Sequence, residues 1–244
     1  MTPTLWHIEL SHYSEKARWA LDYKGVGHRK RRPMVGAHQP IAMALTRSTH
    51  RRMPVLRLEG RTIGDSTAII AALEMRFPVP PLYPVDPADR ARALALEEHF
   101  DEHLGPAIRR VGWHEMLEDR SVGEGLSTTS PAMRRLFDAS RPLVGAIVRR
   151  DFGATAERQA ESRAEIFATA DRIEAELGDR DYLVGDAFSV ADLTAAALMT
   201  PILAPPGRPY LPDRVPPGVM ALREDLMARR AGRWVQEMYV RHRT

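Results

Sequence analysis

The chain has 244 residues, 44% of them hydrophobic and 27% charged, a length and balance that suit two unequal domains with ordinary buried cores. It contains no cysteine, which excludes disulfides, thiolate metal sites and a protein-based redox dithiol. The formal charge is a modest +3, carried largely by arginine, and no 18-residue apolar run is present, so neither a nucleic-acid partner nor a membrane partner is expected.

Residues 4–10 alternate, with Trp6, Ile8 and Leu10 on one side and His7 and Glu9 on the other, which predicts a short strand. No basic region leads from the N-terminus into a long apolar stretch, so no secretory signal is expected and a cytoplasmic location is the default. Past Ser11, the residues Ala17, Ala20, Leu21 and Lys24 recur at helical spacing, and Gly25 and Gly27 stop the run. A second strand is expected over 28–35. Its His28-Arg29-Lys30-Arg31-Arg32 cluster reads as a solvated edge strand, since no nucleic-acid motif surrounds it.

Residues 36–52 read as irregular. Val55-Leu56-Arg57-Leu58, Glu59-Gly60 and Arg61-Thr62-Ile63 predict a hairpin whose turn the glycine supplies. Gly64-Asp65-Ser66 then starts a helix with an apolar stripe of Ile69, Leu73 and Phe77. Pro78, Pro80, Pro81, Pro84 and Pro87 form a connection that neither a helix nor a central strand can cross. The expected division is a front domain over 1–80, a Pro-rich linker over 81–90 and a helical domain over 91–244. Within the last, helices are expected over about 88–119 with a kink at Gly105-Pro106, then 131–151, 155–177, 189–200 and 217–242. A Gly, Ser and Thr-rich loop runs from Ser121 to Ser130, and 201–217 is a second irregular stretch.

The chemistry gathers where the first strand gives way to the first helix, at Ser11-His12-Tyr13-Ser14. Amides of a helix's first turn are unpaired and the dipole end is positive, so an anion there is stabilised without a charged side chain. A hydroxyl at that corner adds a donor, and a thiol, titrating near pH 8.5, gains most from such help. Ser11 equally satisfies the ordinary requirements of an N-cap. His99 and His103 stand four apart on an expected helix but lack an HExxH order and a third ligand, so no metal is expected. Trp113, His114 and Met116 are candidates either for a pocket lining or for helix packing.

Three elements in order carry a resemblance to the cytosolic glutathione transferases: Ser11 at the helix start, Met53-Pro54-Val55-Leu56 opening the hairpin, and Asp65-Ser66 opening the third helix. Leu183-Val184-Gly185-Asp186-Ala187-Phe188-Ser189-Val190-Ala191-Asp192 is similar to that family's C-terminal signature, with Ser189 and Asp192 as a capping-box variant. The resemblance implies an α/β thioredoxin-like N-terminal domain followed by an all-α C-terminal domain. It also implies that Ser11 is the catalytic hydroxyl, with Tyr13 and Ser14 as the neighbours that could take its place at the sulfur, and that Pro54 is cis. Met53 would pair its backbone with the cysteinyl part of glutathione, and Asp65 and Ser66 would hold its γ-glutamyl end. His12 and Arg52 are further candidates for the glutathione site. Glutathione as co-substrate, a small electrophile as second substrate and a homodimer are the partners so implied. The chain departs from the family's pattern at Ser48-Thr49-His50-Arg51-Arg52 and in having Asp65 where Glu is commoner. A non-catalytic binding or interaction protein of the same fold is the alternative. Thiol-dependent reduction through a protein–glutathione disulfide is excluded by the lack of cysteine.

Overall fold

A computed structural model of the chain describes residues 2–34, 37–119, 142–143, 145–207 and 215–243. Four short strands come first, β1 (Thr4–Trp6), β2 (Arg29–Arg31), β3 (Val55–Leu58) and β4 (Arg61–Gly64), in the sheet order β2-β1-β3-β4. β1 and β2 run parallel through helix α1 (His12–Tyr23), while β3 is antiparallel to β1 and to β4. The β3–β4 turn uses Glu59 and Gly60, both at positive φ, the geometry that matches the twist of a two-residue hairpin. β2 is the charged edge strand, exposed at all three residues.

Helices α2 (His38–Thr46) and α3 (Ser66–Arg76) complete this front portion. The sheet is covered on both faces. Leu5 and Leu56 join α1 and α3 in the main core, while Trp6, Ile8, Met53 and Val55 pack with Ala42 of α2. Two expectations are corrected here. The strand ends at Trp6, and the fully buried positions are Leu5 and His7, with Leu10 turned outward, because the chain leaves the sheet after Trp6 to reach α1. The stretch 36–52, read as irregular, contains α2. Its Pro40 lies in the first turn, where the missing N–H has no intrahelical acceptor to lose.

The remainder is helical among the described residues: α4 (Pro87–His99), a π-helical turn (Phe100–Leu104), α5 (Gly105–Glu118), a helical segment over 145–152, α6 (Ala156–Leu177), α7 (Val190–Leu203), α8 (Pro217–Ala228) and α9 (Arg230–His242). The irregularity expected at Gly105-Pro106 falls one step earlier, in the π turn, and Pro106 begins α5 in the position where proline fits. The helix expected over 217–242 is two helices that break at Arg229, whose extended backbone separates them. A side chain at Gly232 would overlap the Leu226 carbonyl, so glycine permits that tight junction. The Ser121–Ser130 loop and most of the 131–151 helix lie outside the described residues.

α7 is the hub. Thirteen of its fourteen residues are buried, and it packs against α1, α4, α5, α8 and α9. Its start is fixed by the Ser189–Asp192 capping box. Asp192 accepts from the Leu183 and Ser189 amides and from the Ser189 hydroxyl, each at 2.8 Å, and burial raises its carboxyl pKa to about 6. On the α1 side, Trp19 is fully buried against Phe188 and Tyr239 and donates its indole N–H to the His242 carbonyl. The last described turn of the chain therefore rests on the first helix.

Candidate active site

Ser11 is the N-cap of α1, its Oγ accepting from the Ser14 amide at 3.3 Å. That bond uses a lone pair and leaves the hydroxyl proton free to donate. Helix geometry leaves the amides of His12 and Tyr13 without intrahelical acceptors beside it. The neighbouring hydroxyls are committed elsewhere. Ser14 is fully buried and its Oγ accepts from the Ile8 amide at 3.2 Å. Tyr13 donates to the Asp101 carbonyl at 2.8 Å, and burial holds its phenol far above the ordinary range.

The loop that presents Ser11 is held from below by Arg18. Its guanidinium meets His7 Nδ1 at 2.7 Å, the carbonyls of Ile8 and Glu9 at 3.3 and 3.0 Å, and Glu15 at 2.9 Å. A planar fork with several donors fixes carbonyls in this way where a single ammonium would not. Burial, followed by the charge of Arg18, lowers the His7 pKa to about 4, so its ring is a neutral partner at ordinary pH.

Asp65 caps α3, with Oδ1 accepting from Thr67 N at 2.9 Å and Ala68 N at 3.2 Å. Its carboxylate is exposed, and its φ of 75° is a backbone state that non-glycine residues seldom hold outside functional sites. Ser66 beside it is 1% exposed, and its Oγ has no hydrogen-bond partner among the described residues. Met53-Pro54 is cis and lies directly before β3, with Met53 buried against Val55 and Ala42. An exposed carboxylate, an unpaired hydroxyl and a helix N-terminus fit an amino-acid end that carries both an ammonium and a carboxylate.

α3 is locked to the helical portion by Lys16. Its Nζ, wholly buried, meets Glu97 at 2.8 Å, Asp101 at 2.5 Å and Thr67 Oγ1 at 2.9 Å, and Thr67 in turn donates to Asp101 at 2.7 Å. The opposite wall comes from α5. Gly105, Arg109 and Trp113 stand four apart on one helix face. Tyr13 lies so close to Gly105 that a side chain there would overlap its hydroxyl. Arg109 lies 5.9 Å from the Tyr13 ring centre and 4.9 Å from that of Phe152, while Trp113 stacks on Phe152 at 6.2 Å. Arg52 reaches over the same Phe152 ring at 5.8 Å. His12, at 4.5 Å from Tyr13, has its pKa lowered to about 3 by burial and then by Arg109, so it adds no charge.

Ring contacts thus join His12, Tyr13, Arg109, Phe152, Arg52 and Trp113 into one group, with Ser11 two residues before Tyr13 in the chain, and Asp65 lies close enough to act on the Tyr13 phenol. Among the described residues no ring stacking joins His114 to that aromatic group. Arg109, Phe152, Lys16 and Thr67 were not anticipated. The four-residue spacing of Gly105, Arg109 and Trp113 is the sequence signal that marks the first of these. His99 and His103 stack at 4.5 Å near Glu165, and no group of three metal-ligating side chains converges among the described residues.

Two family models match the chain: the glutathione S-transferase N-terminal domain over residues 5–81 and the glutathione S-transferase C-terminal domain over 135–229. The chain belongs to the glutathione S-transferase family. It is 26% identical over 198 residues to a probable glutathione S-transferase of Solanum tuberosum, covering 80% of this chain and 72% of that one. It is 25% identical over 199 residues to the protein LigF of Sphingobium sp. SYK-6, covering 77% and 73%. The solved structure of LigF, a beta-etherase, superposes over 97% of this chain and 99% of its own, with a TM-score of 0.65 at 22% identity. A theta-class glutathione S-transferase from Xanthomonas axonopodis pv. citri, solved with glutathione bound, superposes over 95% of each chain with a TM-score of 0.59 at 20% identity. The thioredoxin-like front portion and the helical remainder are those of this fold.

Proposed function

We propose that the chain is a glutathione-dependent transferase that activates the thiol of its co-substrate at Ser11 and directs it onto a small electrophile. The tripeptide would lie with its γ-glutamyl end at Asp65 and Ser66 and its cysteinyl part along Met53, with His12 and Arg52 lining the region around its sulfur. The thiol proton leaves to solvent, and the sulfur is held as thiolate by the Ser11 O–H and the first-turn amides of α1. The thiolate lone pair then forms a carbon–sulfur bond with the electrophile, whose leaving group departs with its bonding electrons. The protein supplies thiol activation and proximity, and no protein nucleophile is needed.

One observation carries this reading. Among the three hydroxyls at the strand-to-helix corner, only that of Ser11 is both partly exposed and uncommitted as a donor. A cytoplasmic homodimer, with neither nucleic acid nor membrane as partner, belongs to the same proposal, and light scattering should give twice the 27.4 kDa chain mass. The test of function is a thermal-shift panel of glutathione and other small thiols, paired with conjugation of a chlorodinitroarene. Saturating ligand at 100 times its dissociation constant stabilises by about 2.7 kcal/mol. No shift with any small thiol, together with no conjugation, would reject the transferase reading in favour of a binding protein of the same fold.

A further inference from the structure

Arg109 carries a charge that no carboxylate among the described residues compensates, and its Nε is buried without a hydrogen-bond partner among them. Asp65, Asp101 and Glu102 act on the Tyr13 phenol, yet none of them meets the guanidinium. The Tyr13 and Phe152 rings lie 5.9 and 4.9 Å from it, and the Arg52 guanidinium reaches over that same Phe152 ring. Burial, then Arg52 and Arg110, oppose its protonated form, and the Tyr13 phenol, kept neutral by its own burial, offers no charge against them. An arginine does not escape such a place by losing its proton. Ring faces return only part of the cost of withdrawing its charge from water. His12 is neutral and so neither competes nor compensates.

Two guanidinium groups thus reach over one aromatic ring, and no carboxylate among the described residues pairs with Arg109. Phe152 and Trp113, stacked nearly parallel at 10°, present a flat apolar surface next to it. We propose that Arg109, with Arg52, holds a carboxylate on a flat aromatic electrophile, and that this group selects the second substrate. The inference rests on the transferase reading and deepens it by naming the substrate class. Bidentate Arg–carboxylate pairing supplies both the strength and the orientation that would place the reactive carbon over Ser11.

The test begins with binding, which needs no thiol. Calorimetry compares 3,5-dinitrobenzoate with 1,3-dinitrobenzene on the full chain, and the carboxylated arene is expected to bind about tenfold more tightly or better. In Arg109→Gln that ratio should collapse towards one, while Arg109→Lys, which keeps the charge, should retain part of it. Circular dichroism checks that each variant is folded. Equal binding by the wild-type protein already overturns the proposal and Arg109→Lys supplies a second variant, so a misfolded Arg109→Gln does not remove the test. Equal binding of the two arenes by the wild-type protein, or a preference that survives in folded Arg109→Gln, would overturn the proposal. Conjugation of glutathione to 4-chloro-3,5-dinitrobenzoate and to 1-chloro-2,4-dinitrobenzene is followed in the same preparations. Conjugation without an anion preference counts against the Arg109 site alone. An anion preference without conjugation counts against the transferase reading and leaves the Arg109 site standing.

Discussion

Lys16 Nζ lies 2.5 Å from Asp101 Oδ2, so the first helix is joined to the π-helical turn by a fully buried ammonium. Glu97 completes the pair of carboxylates at 2.8 Å, and burial raises its pKa while Lys16 works against that rise. Lys16→Met would strand both carboxylates in a place water barely reaches. The expected loss is about 3–5 kcal/mol, the usual cost of removing one member of a buried ion pair, read as a lowered urea midpoint. Adding Glu97→Gln should restore part of it, because one of the stranded charges is then gone. A lone Lys16→Met variant as stable as the parent would show that the carboxylates find solvent.

Stability should fall on acidification below about pH 6.5 through His7 and His12. Their folded pKa values, about 4 and about 3, lie below the unfolded value of 6.5, with burial the leading cause in both. Between those limits the unfolded chain binds more protons, so stability rises with pH across the window and is lost as pH falls. Each histidine contributes a slope of up to about 1.4 kcal/mol per pH unit. Asp192 acts in the opposite sense: its folded pKa of about 6 exceeds the unfolded one, so between about pH 4 and 6 the fold gains from binding its proton. Urea titrations at pH 5, 6 and 7 should show a shallower dependence in His12→Gln than in the parent. An unchanged slope would mean that His12 titrates normally.

Gly105→Ala should destabilise the protein even though alanine is the better helix former. The added methyl would overlap the Tyr13 hydroxyl, which is tied to the Asp101 carbonyl and cannot swing aside without losing that bond. Overpacking of this kind costs about 1–3 kcal/mol, more than the ~1 kcal/mol that helix propensity returns. Thermal melts check this, and a Gly105→Ala protein as stable as the parent would show that the Tyr13 ring gives way.

Ser11 has an observed role as the cap of α1 and a proposed one as donor to the thiolate, and substitution can pull the two apart. Ser11→Ala removes the cap and the proposed donor, and should cost about 1 kcal/mol of stability and about 10²-fold in glutathione conjugation. Ser11→Asp keeps a good cap but places a carboxylate where the thiolate should lie. Its melting temperature should stay near that of the parent while turnover falls at least as far. Parental turnover in either variant would take Ser11 out of the reaction.

The sequence shows some of this clearly and hides the rest for physical reasons. The hairpin at Glu59-Gly60, the charged edge strand and the Ser189–Asp192 box are local, and their residues announce them. α2 was missed because Pro40 and its polar surroundings mask a helix whose buried face is narrow, with only Ala42 and Thr46 fully covered. The parity of β1 was misread because both faces of a sheet packed between helices carry apolar side chains, so alternation loses its meaning. The Ser11 cap is readable since a single turn builds it. The Arg109–Phe152 wall is not, because its parts lie more than forty residues apart and only the packing of the helical portion brings them to Tyr13.

Arg243 meets Glu15 at 2.8 Å and Asp22 at 2.7 Å, spanning 228 residues of sequence to the former. During synthesis α1 leaves the ribosome long before that partner exists. Glu15, which also holds the Arg18 fork beneath Ser11, reaches its final charge balance only when residue 243 has emerged. A chain halted at residue 240 should leave the Ser11 loop open to protease while the helices around α7 resist it. Equal protection of both regions in that truncated chain would show that the corner closes without Arg243.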